Sequence, residues 1–294
     1  MTATVELVLP AGATLAEGPH WDPRAQRLYW VDIPAHRVYV FDPQTGAQQS
    51  FDVGQYVGAV VPRATGGLLL AVQHGFAILD PASGHSQPIA EIAAEADEAD
   101  LRFNDGKCDP AGRFWAGSYS MAGRQRAGSL YCLDANGDVR RAIADVTVSN
   151  GLAWSRDHTT MYYIDTPTQA VAAFDYDVAT GAIANRRVVI SIPDGSGWPD
   201  GMTIDAEGML WVAHWGGSCV TRWDPARGTA LETITLPTAH VTSCCFGGPG
   251  LDQLYITTAR QGLSAAELAA QPTAGSIFRA RPGVRGLPAD VYAG

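Results

Sequence analysis

The chain has 294 residues, 46% hydrophobic and 17% charged, with 32 Gly and 18 Pro; low charge and abundant turn formers suit many short strands better than helical bundles. A formal net charge of −10 with no Lys/Arg run excludes nucleic acid and anionic membrane surfaces as expected partners. No run approaches the roughly 18 apolar residues of a membrane span.

In chain order, "MTATVELVLPAGATLAEG" lacks a basic start and a sustained apolar core, so no targeting segment is visible in it. Its "VELVL" reads as a strand. A unit then begins at Glu17, "EGPHWDPRAQRLYWVD", followed by a degenerate copy from Gly58, "GAVVPRATGGLLLAV". Further copies start at Asn104, "NDGKCDPAGRFWAGS", at Asn150, "NGLAWSRDHTTMYYID", at Asp200, "DGMTIDAEGMLWVAH", and at Thr242, "TSCCFGGPGLDQLYITT". Each has a short apolar segment, a turn with Asp, Pro or Gly, and a second apolar segment. Most add a third strand ending in a turn, such as "SLYCLDANG". A variable fourth strand precedes the next unit.

Four antiparallel strands per unit of about 40–50 residues are the signature of a propeller blade. Six units predict an all-β, six-bladed β-propeller occupying residues 1–294 as one domain. "VELVL" is expected to complete the last blade beside "GSIFRARP". Two stretches poor in β-branched residues, 90–101 and 263–271, read as helical or loop insertions. The five cysteines, Cys108, Cys132, Cys219, Cys244 and Cys245, show no metal spacing and read as reduced, buried thiols of a cytoplasmic protein.

The first strand of each blade lines the central channel, so the residue just before it is expected at one mouth. Those positions hold Glu17, Asn104, Asn150 and Asp200, with Gly58 and Thr242 as poor ligands. Two carboxylates and two amides converging on one axis need a counter-charge. A divalent cation supplies it: the oxygen donors suit Ca²⁺, Mg²⁺ or Mn²⁺ and tolerate Zn²⁺ or Fe²⁺. Few protein ligands leave room for water and substrate, as in a catalytic site.

The motifs "LAEGPHWD", "RFNDGKCDPAGRFWAG", "SNGLAWS", "PDGMTIDAEGMLWVAHWGG" and "TSCCFGG" resemble the regucalcin/gluconolactonase family, also called the senescence-marker-protein and sugar-lactonase family, over about residues 14–282. The resemblance implies a six-bladed propeller with one divalent metal in the channel that hydrolyses aldonolactones. It implies Glu17, Asn150 and Asp200 as metal ligands, and Arg102 and Asn104 as substrate-binding residues. Asn104 then serves substrate or a metal-bound water, and the ligand set narrows from four to three. The sequence departs from the animal members after "AGS": Tyr119, Ser120 and Met121 stand where those carry a substrate-binding acid, so Tyr119 becomes the substrate contact expected there.

A lactone is a cyclic ester, and its hydrolysis needs a polarised carbonyl and an aimed water. Asp200 is the expected proton acceptor; Arg102 and Asn104 would orient a small sugar lactone. No GxSxG elbow is present, which disfavours a serine esterase. The rival readings are a non-enzymatic calcium-binding propeller and an aryl-ester or organophosphate hydrolase on the same fold. His20 and His214 are candidates to reach the channel, though hydrogen-bonded core or surface positions are commoner for histidine. Trp198 and Trp215 flank Asp200 and offer a stacking face or plain packing.

Overall fold

The computed structural model describes residues 4–92 and 99–294. Its strands, numbered β1–β24 in chain order, form six four-stranded sheets. The innermost strands are β2 (Ala16–Asp22), β6 (Val57–Pro62), β10 (Leu101–Cys108), β14 (Ser149–Trp154), β18 (Trp198–Ile204) and β22 (Val241–Gly247). Each pairs antiparallel with the next strand of its sheet. Each also packs against the inner strands of the two neighbouring sheets, which closes a ring: β2 meets both β6 and β22. This is the six-bladed propeller, and the six repeat starts all lie on inner strands.

Closure follows the expected route. β1 (Val5–Leu9) is the outer strand of the last sheet and pairs with β24 (Ile277–Ala280), with Glu6 opposite Arg279. Their side chains form an ion pair at 2.7 Å.

Blade packing explains why the second strands read as near-continuous apolar runs. Side chains alternate across a strand, and both faces of each blade are covered. In "RLYWVD", Tyr29 and Val31 join the cluster shared with the second blade, whereas Leu28 and Trp30 join the one shared with the last blade. Six such clusters occupy the six interfaces between blades. Truncating a fully buried member such as Leu70 would cost about 2–5 kcal/mol.

The recurring turn acid has a structural task. Asp205 in "DAEGMLW" accepts Glu207 N and Met209 N, both at 2.9 Å, and Trp211 Nε1 at 3.0 Å. Asp109 in "DPAGRFW" does the same for Ala111 N, Arg113 N and Trp115 Nε1. One buried carboxylate thus fixes the turn and anchors the indole of the following strand.

The insertion expected at 263–271 contains a short helix, Ala265–Ala270, with a capping box between Ser264 and Glu267. At 90–101 the ends are strand: Ala90 and Glu91 belong to Ser86–Glu91, and Leu101 opens β10. The central part of that expectation, 93–98, lies outside the described residues. None of the five cysteines is in a disulfide.

Candidate active site

All six inner strands shift register near their beginnings. The irregularities fall between Glu17 and His20, Val57 and Ala59, Phe103 and Asp105, Ser149 and Leu152, Pro199 and Met202, and Val241 and Ser243. The repeat-matched residues Glu17, Gly58, Asn104, Asn150, Asp200 and Thr242 sit at or within these bulges. They are therefore inside the inner strands, and the expectation that they immediately precede them is corrected. A bulge leaves a residue out of the ladder and re-aims its side chain, which in sequence looks like a break before the strand.

Glu17, Arg102, Asn104, Tyr119, Asn150 and Asp200 line one cavity of about 200 Å³. The structure thus brings together every residue singled out for the site. Gly58 and Thr242 contribute no donor there: Thr242 Oγ1 donates to Ala16 O at 2.6 Å and meets Thr257 Oγ1 at 2.7 Å. The glycines following the site residues are demanded by packing. A Cβ on Gly151 would come 2.6 Å from Met202 Cβ, and one on Gly201 would overlap Ser243.

Three buried groups define the floor: Glu17 (2% exposed), Asn150 (3%) and Asp200 (6%). Burial, then the charge of Asp105, pushes the Glu17 carboxyl up to about 8, against the Gly18 N–H and Arg102. Burial, Glu17 and Asp105 hold Asp200 well above the usual carboxylate range. Asn150 Nδ2 donates to Thr166 Oγ1 at 2.9 Å, which leaves its Oδ1 buried with no partner. Such an orphan acceptor, beside two carboxylates that destabilise each other's charge, is what a cation would satisfy. Among the described residues no three His, Cys, Asp or Glu side chains form a metal-binding group, so a cation here needs the amide oxygen as well as the two acids. The residues present fit a hard divalent ion.

Arg102 is 3% exposed and paired with no carboxylate among the described residues. Its Nη1 donates to Phe103 O at 2.8 Å and Asn104 Oδ1 at 3.0 Å, and its Nη2 to Tyr119 Oη at 3.0 Å. The guanidinium lies over the Tyr119 ring at 4.5 Å. Three of its five N–H groups are engaged, and two stay available. Asn104 Nδ2 donates to Ser149 O at 2.9 Å, so Asn104 fastens Arg102 to the neighbouring blade.

A protein-family comparison matches residues 15–260 to the SMP-30/gluconolactonase/LRE-like region. The chain belongs to this family. It is similar to regucalcin of Danio rerio, 42% identical over 99% of this chain and 98% of that one. It is also similar to a candidate sugar lactone lactonase of Bacillus subtilis (strain 168), 40% identical over 96% of each. Among solved structures, a calcium-binding regucalcin of Agrobacterium tumefaciens matches with a TM-score of 0.93 at 28% identity, covering 99% of this chain and 97% of that one.

Within this family frame the remaining candidates separate. His214 is 1% exposed and does not line the cavity; burial pushes it down to about 4. His20 faces a different cavity, and burial, then Lys107, pushes it down to about 3. Both are neutral near pH 7. Trp198 and Trp215 are register partners at the lip. Trp198 is 47% exposed, while Trp215 is stacked on His240 at 4.0 Å. Of the stretch Tyr119–Met121, where the resemblance leads one to expect an acid, Tyr119 lines the cavity and Met121 lies outside its lining. The nearby Asp100 is engaged with Arg124 at 2.6 Å and with Ser120.

The sequence reading missed Asp105 and Thr166. Asp105 follows Asn104 directly and is buried beside the floor acids; its carboxylate in "RFND" was the available signal. Thr166 accepts from Asn150 and donates to Pro199 O at 2.8 Å, joining two blades behind the site. It sits on a short turn, Thr166–Thr168, outside the repeat pattern, and nothing in the sequence marks it.

Proposed function

We propose that the chain is a divalent-metal-dependent sugar lactonase that hydrolyses aldonolactones of gluconolactone type, 1,4- or 1,5-, to aldonic acids. The observation that carries this reading is the buried oxygen set: two carboxylates of raised pKa and an amide oxygen without a partner, under a cavity walled by a fixed guanidinium. Glu17, Asn150 and Asp200 would hold one ion. Oxygen-only donors favour Ca²⁺, Mg²⁺ or Mn²⁺ over Zn²⁺ or Fe²⁺. The similarity to a candidate sugar lactone lactonase supports the substrate class. Five unpaired cysteines support a reducing, cytoplasmic setting.

When bound, the ion polarises the lactone carbonyl and stabilises the negative charge that develops on its oxygen. The chain's own residues do the rest. Asp200 accepts a proton from the attacking water at a carboxylate oxygen and returns it to the ring oxygen as the acyl–oxygen bond breaks, leaving a hydroxy acid. Arg102, held by Asn104, Phe103 O and Tyr119, directs its two free N–H groups at substrate oxygens and orients the ring. The Trp198–Trp215 pair forms the outer wall.

The second reading is a calcium-binding propeller without catalysis, favoured by the hard-donor set and by the similarity to a calcium-binding regucalcin. Assays of purified protein on a panel of aldono-1,4- and 1,5-lactones, before and after chelation, separate the two. The lactonase reading predicts hydrolysis above the no-enzyme rate that is lost with the ion and regained with it. Tight calcium binding with no rate above background on any lactone would sink it.

A further inference from the structure

The channel has a second mouth. The same inner strands that place Glu17, Asn104, Asn150 and Asp200 at one end place His20, Lys107, Trp154 and Ile204 at the other. Three or four residues of extended chain separate the two sets, roughly 10–13 Å. The second cavity holds about 450 Å³ against about 200 Å³ at the first. Its rim includes the segment 287–290.

The charge of this cavity runs against that of the molecule. The chain carries −10 overall, yet the cavity presents two cations, Lys107 and Arg156, and a single carboxylate, Asp290. Lys107 is the one lysine in the sequence; every other fixed cation is an arginine. An ammonium is compact and carries three protons on a flexible stem. Lys107 gives one of them to Met202 O at 2.5 Å, which leaves two for the channel and the cavity. Among the described residues neither Arg156 nor Asp290 is in an ion pair. The rest of the wall is largely apolar, with Trp154, Ile204, Phe246 and Leu287. A few placed polar groups in a mostly apolar concavity of ~300–1,000 Å³ is the usual form of a small-molecule site.

We propose that this second mouth binds a small organic monoanion: one carboxylate held by Lys107 and Arg156, on a flat apolar skeleton that lies against the apolar part of the cavity wall. A planar guanidinium and a point-like ammonium together suit a carboxylate, which accepts from both. The apolar wall disfavours a polyhydroxylated acid, whose hydroxyls would lose water without finding partners. Asp105, whose carboxyl feels the Lys107 charge from inside the channel, competes for the ammonium, whereas Asp290 lies on the rim beside Asp109. The sugar-lactone chemistry of the first mouth is not needed for this binding.

The test is a fluorine NMR titration of the full-length, calcium-saturated protein with 4-fluorobenzoate. Its neutral isostere 4-fluorobenzamide and the polyhydroxy acid gluconate serve as parallel probes. The expected result is saturable one-site binding of fluorobenzoate, with the benzamide and gluconate at least about tenfold weaker. Arg156→Ala, an exposed position, should weaken fluorobenzoate at least about fivefold, and Arg102→Ala should leave it unchanged. Absence of saturable binding at about 10 mM probe would overturn the proposal. So would equal affinity for the benzamide or for gluconate. Loss of binding in Arg102→Ala with retention in Arg156→Ala would assign the anion to the first mouth, again against the proposal.

Discussion

The two mouths of the channel are built by the same six strands, yet one gathers buried acids and the other gathers cations on an apolar wall. The difference lies in the backbone. At the first mouth every inner strand is bulged, and the bulges turn Glu17, Asn150 and Asp200 inward against the packing preference of charged groups. Beyond the bulges the register is regular, and side chains alternate between blade interfaces and channel. The first mouth therefore stores unfavourable electrostatics that an ion would relieve, while the second satisfies its one lysine through a backbone carbonyl. The proposed metal site falls where the ladder is broken.

The sharpest way to break this comparison is to neutralise the first mouth. Glu17→Gln combined with Asp200→Asn should abolish metal binding and lower lactone hydrolysis at least about 10³-fold. The same double variant, chelated, should melt at a higher temperature than chelated wild type at pH 7, because two buried carboxyls that can be neither ionised nor protonated there without cost are gone. Lys107→Met should do the reverse and lower the melting temperature, since Met202 O loses its donor. Calorimetry of the three chelated proteins checks both signs; a lower melting point for the double variant would contradict the stored-repulsion account.

The next effect is in pH. The folded Glu17 carboxyl titrates near 8, above its ordinary value of 4.5. Between these values the folded protein holds a proton that the unfolded chain has released, so stability falls as pH rises. That stability is fully present below about 4.5 and lost as pH rises through about 8. Chelated protein should lose at least about 5 °C in melting temperature between pH 5 and pH 8 beyond any change in the Glu17→Gln variant. Added divalent ion should remove most of that difference at pH 8, because it favours the ionised carboxyl. A flat profile would mean that the floor acids do not carry the shift.

A smaller effect tests the wall of the first mouth. Tyr119→Phe removes the hydroxyl that holds Arg102 Nη2 at 3.0 Å. It should lower kcat/KM for a lactone about tenfold with metal content unchanged. Unchanged kinetics would release Tyr119 from the site.

Smallest of all should be His20→Gln at the second mouth. It should alter hydrolysis by less than about threefold, because the imidazole is neutral and faces the other cavity. A large loss would show that the two mouths are chemically one.

Much of this was legible in the sequence. The repeat starts at Glu17, Gly58, Asn104, Asn150, Asp200 and Thr242 locate the inner strands because blade packing imposes the same apolar pattern six times. The partnership of "VELVL" with "GSIFRARP" follows from the need to close the ring. What the pattern hides is where regularity fails. A bulge has no composition of its own, so the side chains at it look as though they precede the strand. Asn150 Oδ1 lacks a partner because of where Thr166 sits, on a turn outside the repeat. The second mouth was not visible because its walls are the ordinary apolar ends of strands, joined by the chain's last residues. Just past the rim of that mouth, outside the cavity lining, Tyr292 bridges Arg63 in parallel and Gly294 O accepts from Arg63 Nε at 3.0 Å, contacts of very long sequence separation that no local pattern announces.

The central claim is that the bulged mouth holds one divalent ion on Glu17, Asn150 and Asp200 and that lactone hydrolysis depends on it. The direct measurement is a co-titration: chelated protein is supplied with Mn²⁺ in steps, and bound ion and aldonolactone hydrolysis are read on the same samples, alongside Asp200→Asn. The account predicts that rate and occupancy rise together and break at about one ion per chain, with Asp200→Asn about 10²-fold or more slower at equal occupancy. Full hydrolysis by the chelated protein, or equal rates for wild type and Asp200→Asn at equal occupancy, would contradict it.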